Sequence, residues 1–203
     1  MRHDAPESDA ALVAACRAGR REAFGELVDR YQDRVYRLAW RIVGQREDAA
    51  EVAQEAFLKA WRALDRFRGD ASFYTWIFRI TLNEARSRLR FKAVRPAEVS
   101  LYASSAADDA PASRRDPADH GPGPVELANR AERRVLVEQA LLRLEPDQRA
   151  IILLRDMEGR DYAQIAEMLD CPRGTVKSRL HRARMALKDL LEPALGQDAA
   201  ADA

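Results

Sequence analysis

The sequence predicts an all-α protein made of two small helical domains joined by a flexible linker. Three observations carry that expectation. Large apolar residues recur at three- and four-residue spacing on both sides of the chain's middle, and neither side alternates apolar and polar residues as a strand does. Between them, Ala103 to Pro124 reads ASSAADDAPASRRDPADHGPGP, with no aromatic or large aliphatic residue and four of the nine prolines. That composition cannot bury enough apolar surface to offset its ordering entropy. Helix stop and start signals then cut each half into short helices.

In the first half, a short apolar segment at Leu12 and Val13 predicts an opening helix. Phe24, Leu27, Val28, Tyr31, Val35, Leu38 and Ile42 then line one face of a long helix, which Gly44 should end. The next helix is expected from about Asp48 to Leu64, with Asp48 placed to cap it and Ala49, Val52, Ala56, Phe57, Ala60 and Leu64 as its apolar stripe. After DRFRGDAS comes FYTWIFRITLNEARSRLRF, whose Phe73, Trp76, Ile77 and Ile80 should face inward.

In the second half, ELANRAERRVLVEQALLRL reads as a helix broken before Pro146, and PDQRAIILLRDMEG as one that starts on proline and stops at Gly159. Asp161 and Gln164 have capping-box spacing, so a short helix should run from Tyr162 to about Leu169. The turn DCPRG follows, and a longer basic helix opens near Thr175. Helix, tight turn and basic helix in this order make the helix-turn-helix used on DNA. The expected organisation is a tail and the start of the first module over 1–21, the first module over 22–92, the linker over 93–125, the second module over 126–193 and a disordered tail over 194–203.

Composition narrows the function. The formal net charge is +1, so affinity for nucleic acid has to come from segregated charge. Such segregation is present: six Lys or Arg and no Asp or Glu lie between Arg173 and Lys188. Cys16 and Cys171 stand far apart with no CxxC or Cys/His cluster, which argues against a disulfide framework and a zinc site and fits a reducing compartment. Acidic residues near the N-terminus do not suit a secretory signal, and no apolar run approaches a membrane span, so a soluble, unexported chain is expected. Enzymatic chemistry finds no support. The three histidines, His3, His120 and His181, form no evident site, and there is no Gly-rich phosphate loop and no nucleophile with a nearby base. No metal and no cofactor are expected.

On a wheel of about 100° per residue, the last helix puts Val176, Leu180, Ala183, Leu187 and Leu190 on one stripe and Lys177, Ser178, His181 and Arg182 nearly opposite. One face packs, and the other offers cations, a hydroxyl and an imidazole to base edges and phosphates. In the first module, Asp48, Glu51, Gln54 and Glu55 lie beside Phe57 and Trp61, an acidic and aromatic mixture suited to a protein contact. Its third helix is basic through Arg79, Arg86, Arg88, Arg90 and Lys92, and the loop before it interleaves Arg66 and Arg68 with Phe67, Phe73 and Tyr74. Cations for phosphates beside aromatic surfaces for bases suit single-stranded nucleic acid.

These segments resemble the extracytoplasmic-function sigma factors of bacterial RNA polymerase, a branch of the sigma-70 family, and within it the sigma-E-like subgroup. DAAEVAQEAFLKAW resembles the region 2 core-binding motif, FRGDASFYTWIFRITLN the promoter-melting segment, and YAQIAEMLDCPRGTVKSRLHRAR the region 4 helix-turn-helix, with no region 3 domain between. The resemblance implies that Asp48, Glu51, Gln54, Glu55, Phe57 and Trp61 lie against the beta-prime coiled coil of core RNA polymerase, and that region 4 meets the beta flap. It implies minus-10 contacts from Arg66, Phe67, Arg68, Gly69, Asp70, Ser72, Phe73, Arg79, Asn83 and Arg86. Minus-35 contacts fall to Arg173, Thr175, Lys177, Ser178, His181 and Arg182. Promoter DNA, double- and single-stranded, and an anti-sigma factor are the further partners it implies, in a cytoplasmic protein that the anti-sigma factor could hold at the inner membrane. The alternative is a DNA-binding regulator acting without entering the polymerase. It would need a ligand pocket or a phosphorylatable acidic site in the first module, and the sequence offers neither.

Overall fold

The computed structural model describes residues 7–94 and 124–201. Among them there are eight α-helices and no strand: α1 (Asp9–Arg17), α2 (Glu22–Val43), α3 (Arg46–Ala63), α4 (Phe73–Val94), α5 (Pro124–Arg143), α6 (Pro146–Ile152), α7 (Tyr162–Met168) and α8 (Arg173–Ala201). The proline-rich segment from Ala103 lies outside the described residues except for Pro124, which opens α5.

The first module packs α2, α3 and α4 against one another with α1 across α2. Its centre is Leu27, Ile42, Ile77, Phe78 and Leu82, all fully buried, each contributing on the order of 2 kcal/mol by burial. α1 is tied to α2 by the Tyr31 hydroxyl, which donates to Asp9 at 2.5 Å; burial and that carboxylate push the phenol up to about 12. Gly44 ends α2 as its spacing predicts. It takes the left-handed conformation, φ 79°, and its amide donates to the Trp40 carbonyl at 2.7 Å.

α3 departs from expectation at its start. It begins at Arg46, with Gln45 at the cap and Asp48 inside the first turn. Asp48 is 4% exposed: its carboxylate turns inward to Arg88 and Lys92 of α4 and is not free to cap its own helix. A short 3-10 turn, Leu64–Arg66, closes the helix.

In the second module α5, α6 and α7 pack on α8 around Ile151, Leu154, Ile165, Met168 and Val176. The capping box is present, with the Gln164 amide donating to Asp161 at 2.8 Å and the Asp161 amide to the Gln164 side chain at 3.2 Å. The segment after α6 is not the continuous α-helix that PDQRAIILLRDMEG predicts. Leu153–Met157 widens into a π turn, with the Glu158 amide returning to the Leu153 carbonyl at 3.0 Å, before Gly159 stops it at φ 65°. α8 opens at Arg173 rather than near Thr175. It runs through Pro193 to Ala201, where a disordered tail was expected; the alanines after Pro193 are the best helix formers and carry the helix past the lost amide.

The modules touch. α4 packs on α7, and α2 on α5 and α6, so the buried cores are continuous.

Candidate functional site

Three surfaces hold the sequence-predicted residues. The first is the outer side of α3. Between α2 and α3 runs an open groove of about 610 Å³ lined by Phe24, Val28, Tyr36, Ala53, Phe57, Leu58 and Trp61, with Gln32, Asp33 and Gln54 at its polar margin. Trp61 is 38% exposed and meets Phe24 edge to face at 5.0 Å. Gln54 is exposed, and Phe57 and Glu55 are half-buried. Glu55 has only long contacts, 3.9 Å each, to Lys59 and Arg62, whereas Glu51 pairs with Arg88 at 2.6 Å while keeping more than half its surface in solvent. The slot between α2 and α3 is apolar with Asp33 at its margin, and Glu51 and Glu55 line the neighbouring groove between α3 and α4; apolar surface beside carboxylates suits a protein helix carrying cations.

Asp48 does not belong to that surface. Burial would push its carboxyl up, but hydrogen bonds and charge from Lys92 and Arg88 outweigh burial and hold it below the ordinary carboxylate range. Arg88 Nε and Nη2 donate to it at 2.9 and 2.8 Å, and Lys92 donates to its other oxygen. A carboxylate so enclosed positions α4 against α3 and has nothing left for a partner.

The second surface is the loop before α4 and the flank of α4. Arg17 of α1 anchors the loop by donating to the carbonyls of Leu64, at 3.0 Å from Nη2, and Phe67. Nothing in the sequence singles out Arg17 for this role, since its partners lie some fifty residues away. Arg66, Arg68, Gly69 and Asp70 are exposed, with Gly69 at φ 80°. Ser72 accepts from the Thr75 amide at 3.1 Å, which makes it the cap of α4. Phe67 stacks on Trp76 at 4.8 Å and meets Phe73 at 6.2 Å.

Phe73 itself is 2% exposed, so it supports this aromatic cluster from the core and cannot hold a base. The positive charge of α4 is also smaller than the sequence suggests. Arg88 and Lys92 are taken by Asp48, and Arg86 pairs with Asp147 at 2.8 Å. Arg79, Asn83 and Arg90 remain exposed along the helix.

The third surface is α8, where the wheel holds: Val176, Leu180 and Ala183 are buried while Lys177, Ser178, His181 and Arg182 are exposed. Arg173 lies exposed in the first turn and Thr175 is half-buried. Ser178 donates to the Thr175 carbonyl at 3.0 Å, and Arg182 Nε to the Ser178 carbonyl at 3.4 Å, in side chains that are both exposed. Two of the six cations serve the fold: Arg184 reaches Asp156 at 3.2 Å and Lys188 reaches Glu192 at 3.2 Å. Asp170, at φ 50°, makes the turn between α7 and α8. No group of His, Cys, Asp and Glu suited to a metal ion occurs among the described residues, and none of their helices is long and apolar enough to cross a membrane.

Residues 27–94 match the family Sigma-70 region 2, and residues 134–187 the family Sigma-70, region 4. The chain is 39% identical over 193 residues to the RNA polymerase sigma-H factor of Pseudomonas aeruginosa, across 93% of this chain and 96% of that one. It is 39% identical over 186 residues to the ECF RNA polymerase sigma-E factor of Escherichia coli K12, across 92% and 95%. Among solved structures, CnrH in complex with the cytosolic domain of CnrY matches with a TM-score of 0.64 at 28% identity, covering 92% of this chain and 99% of that one. The sigma factor RpoE in complex with the anti-sigma factor NepR, from Bartonella quintana, matches at 0.58 and 25%, covering 83% and 96%.

Proposed function

This chain belongs to the extracytoplasmic-function sigma factors of the sigma-70 family, and we propose how its three surfaces divide the work of that family. As a sigma factor it binds core RNA polymerase, directs it to minus-35 and minus-10 promoters and assists melting, using binding energy and no covalent chemistry. In our reading Phe57 and Trp61 take the beta-prime coiled coil into the groove between α2 and α3, while Glu51, Gln54 and Glu55 meet it across the outer face of α3. Asp48 acts behind them by fixing the angle of α3 to α4.

The loop Arg66–Ser72, with Arg79, Asn83 and Arg86, takes the minus-10 strand, with Phe67 and Trp76 as its aromatic floor and Phe73 holding that floor from within. Arg173, Lys177, Ser178, His181 and Arg182 read the minus-35 element from the exposed face of α8, with Thr175 shaping the turn, and the second module meets the beta flap. An anti-sigma partner is part of this reading, since a relative of this fold was solved with one; membrane tethering through that partner belongs to the same reading. Stress-response control belongs to the same reading.

The single observation that carries the division is the split of α8, apolar stripe buried and polar stripe free. The test is transcription in vitro with core polymerase from a promoter carrying both elements. Arg182→Ala or Lys177→Ala should weaken initiation and relax base preference at one minus-35 position. Folded variants that keep both promoter strength and base preference would misplace the reading face.

A further inference from the structure

The loop between α3 and α4 is held at both ends and free between them. At its far end Ser72 caps α4, its hydroxyl accepting from the Thr75 amide at 3.1 Å and its carbonyl from the Trp76 amide at 3.1 Å. At its near end Phe67 lays its ring on Trp76, and its amide donates to the Leu64 carbonyl at 3.1 Å. Between these posts Arg68, Gly69 and Asp70 are exposed, Ala71 is half-buried, and none of the four hydrogen-bonds to another described residue. Such a segment takes its course from its two ends.

The near post has a further support from outside the loop. Arg17, the last residue of α1, donates to the Leu64 carbonyl from Nε at 3.3 Å and from Nη2 at 3.0 Å, and Nη2 also reaches the Phe67 carbonyl. Leu64 caps the C-terminal end of α3, where orphan carbonyls and the helix dipole favour a cation. α1 is itself fixed. Leu12, Val13 and Cys16 are buried in the core, and the Tyr31 hydroxyl holds Asp9 at the other end of the helix.

We propose that Arg17 is a positioning residue for base recognition: from α1 it fixes the backbone at Leu64 and Phe67, and so sets the course of residues 68–71 and the tilt of the aromatic floor beneath an unstacked base. The role rests on the reading that gives this loop to the minus-10 strand. Releasing the Phe67 carbonyl shifts the exposed residues that follow it, whereas Arg79 and Asn83 on α4 stay where they are. Base preference therefore depends on Arg17, and contacts to the strand's phosphates do not.

The test uses holoenzyme assembled from the full chain and core polymerase, a pool of short fluorescent single strands randomised in sequence, and the strand that wild type enriches most. Arg17→Met keeps the aliphatic stem and removes the donors. It should bind the enriched strand about tenfold more weakly, in the range of one stacked base, and flatten the preference at the positions the loop holds. Binding of the unselected pool and the salt slope should not change. Arg17→Lys, one ammonium in place of a fork, should fall between. Asp48→Asn, which loosens the same module away from the loop, should lower the melting temperature and keep the wild-type preference.

Wild-type preference in folded Arg17→Met overturns the role, as does a loss no larger than that of Asp48→Asn at the same fall in melting temperature. A salt slope lowered by about one makes Arg17 a phosphate contact and overturns it too. Should Arg17→Met not fold, wild-type preference in Arg17→Lys is the overturning result. Asn83→Ala separates the role from the reading beneath it: if that variant loses the preference while Arg17→Met keeps it, the role alone falls. A wild type that enriches no strand takes down the minus-10 reading and the role with it.

Discussion

Each module buries a charge, and the two are compensated in opposite ways. In the first, Asp48 is enclosed by two cations from a neighbouring helix, Arg88 and Lys92. In the second, Arg149, 5% exposed, has no carboxylate against it among its hydrogen-bond partners. It donates to the carbonyls of Leu141, at 2.7 Å, Leu142 and Leu144, at 2.9 Å, and to that of Ile42. Those carbonyls are the orphan acceptors at the ends of α5 and α2, where the helix dipoles favour a cation.

Burial still acts on both: it lowers Arg149 from its ordinary value, while at Asp48 the cations overcome it. The difference teaches that a buried charge in this fold marks a joint between helices and not a working group. Only one of the two joints, Asp48, titrates in acid.

The largest effect should come from a buried charge with neither kind of compensation. Leu180→Asp places a carboxylate on the packed stripe of α8 with nothing to meet it. It should cost more than about 4 kcal/mol and unfold the second module in a thermal melt. A cooperative melt at the wild-type temperature would reverse the assignment of faces on α8.

Next, Arg149→Leu strips the donors from several buried carbonyls at once, and a loss of about 3 kcal/mol is expected by chemical denaturation. Asp48→Ala leaves Arg88 and Lys92 facing each other without their anion. Because both cations are about a third exposed, the loss should fall at the low end for a broken buried pair, roughly 2 to 3 kcal/mol. Should Asp48→Ala prove the more costly, the carbonyl cage would be the weaker of the two solutions.

Acid separates the joints more finely. The folded carboxyl of Asp48 lies below its unfolded value, so its stabilising contribution is complete above the unfolded pKa, near 4, and is lost as pH falls through the folded one. Arg149 keeps its proton throughout that window and contributes equally at every pH in it. Asp48→Asn should therefore flatten the acid limb of the stability curve, and Arg149→Leu should shift the curve without changing its slope. An unchanged acid limb in Asp48→Asn would mean that other carboxylates govern acid unfolding.

The smallest effects on folding belong to the exposed groups. Lys177→Ala and Arg182→Ala should leave the melt almost untouched. On promoter binding each should cost about 1 to 3 kcal/mol where the side chain makes a bidentate base contact; a phosphate-only contact should weaken all sequences alike and lower the salt slope by about one. A melt shifted as far as that of Arg149→Leu would make these side chains parts of the fold.

What could be read from the sequence was what is local in the chain. Gly44, Asp161 with Gln164, and the Val176, Leu180, Ala183 stripe act within a turn or two of themselves, so their spacing carries their structure. The misread residues have distant partners. Asp48 looked like a cap because its neighbours in sequence permit one, and only Arg88 and Lys92, forty and forty-four residues on, turn it inward.

Phe73 carries two expectations, an inward face on its helix and a minus-10 contact from its loop; Phe67, Trp76 and Tyr31 close around it, so the first holds and the second does not. The charge of α4 was overcounted for the same reason. Carboxylates on α3 and α6 take Arg86, Arg88 and Lys92, and no spacing rule within α4 announces them. The π turn was invisible too, since the residues that follow it, Glu158 and Arg160, meet Tyr74 and Arg34 of the other module, and no local spacing announces those contacts.

In the proposed division, exposed carboxylates on α3 make the contact with polymerase while the buried one makes the fold. The most direct measurement is the affinity of core RNA polymerase for Glu51→Lys/Glu55→Lys, taken beside its thermal melt and beside the same pair of measurements on Asp48→Asn. The charge reversal should weaken core binding at least tenfold, about 1.4 kcal/mol, with its melting temperature nearly unchanged, because both side chains keep much of their surface in solvent. Asp48→Asn should lower the melting temperature and affect core binding only as far as it unfolds the module. Wild-type affinity in the folded charge-reversed protein would remove Glu51 and Glu55 from the polymerase contact.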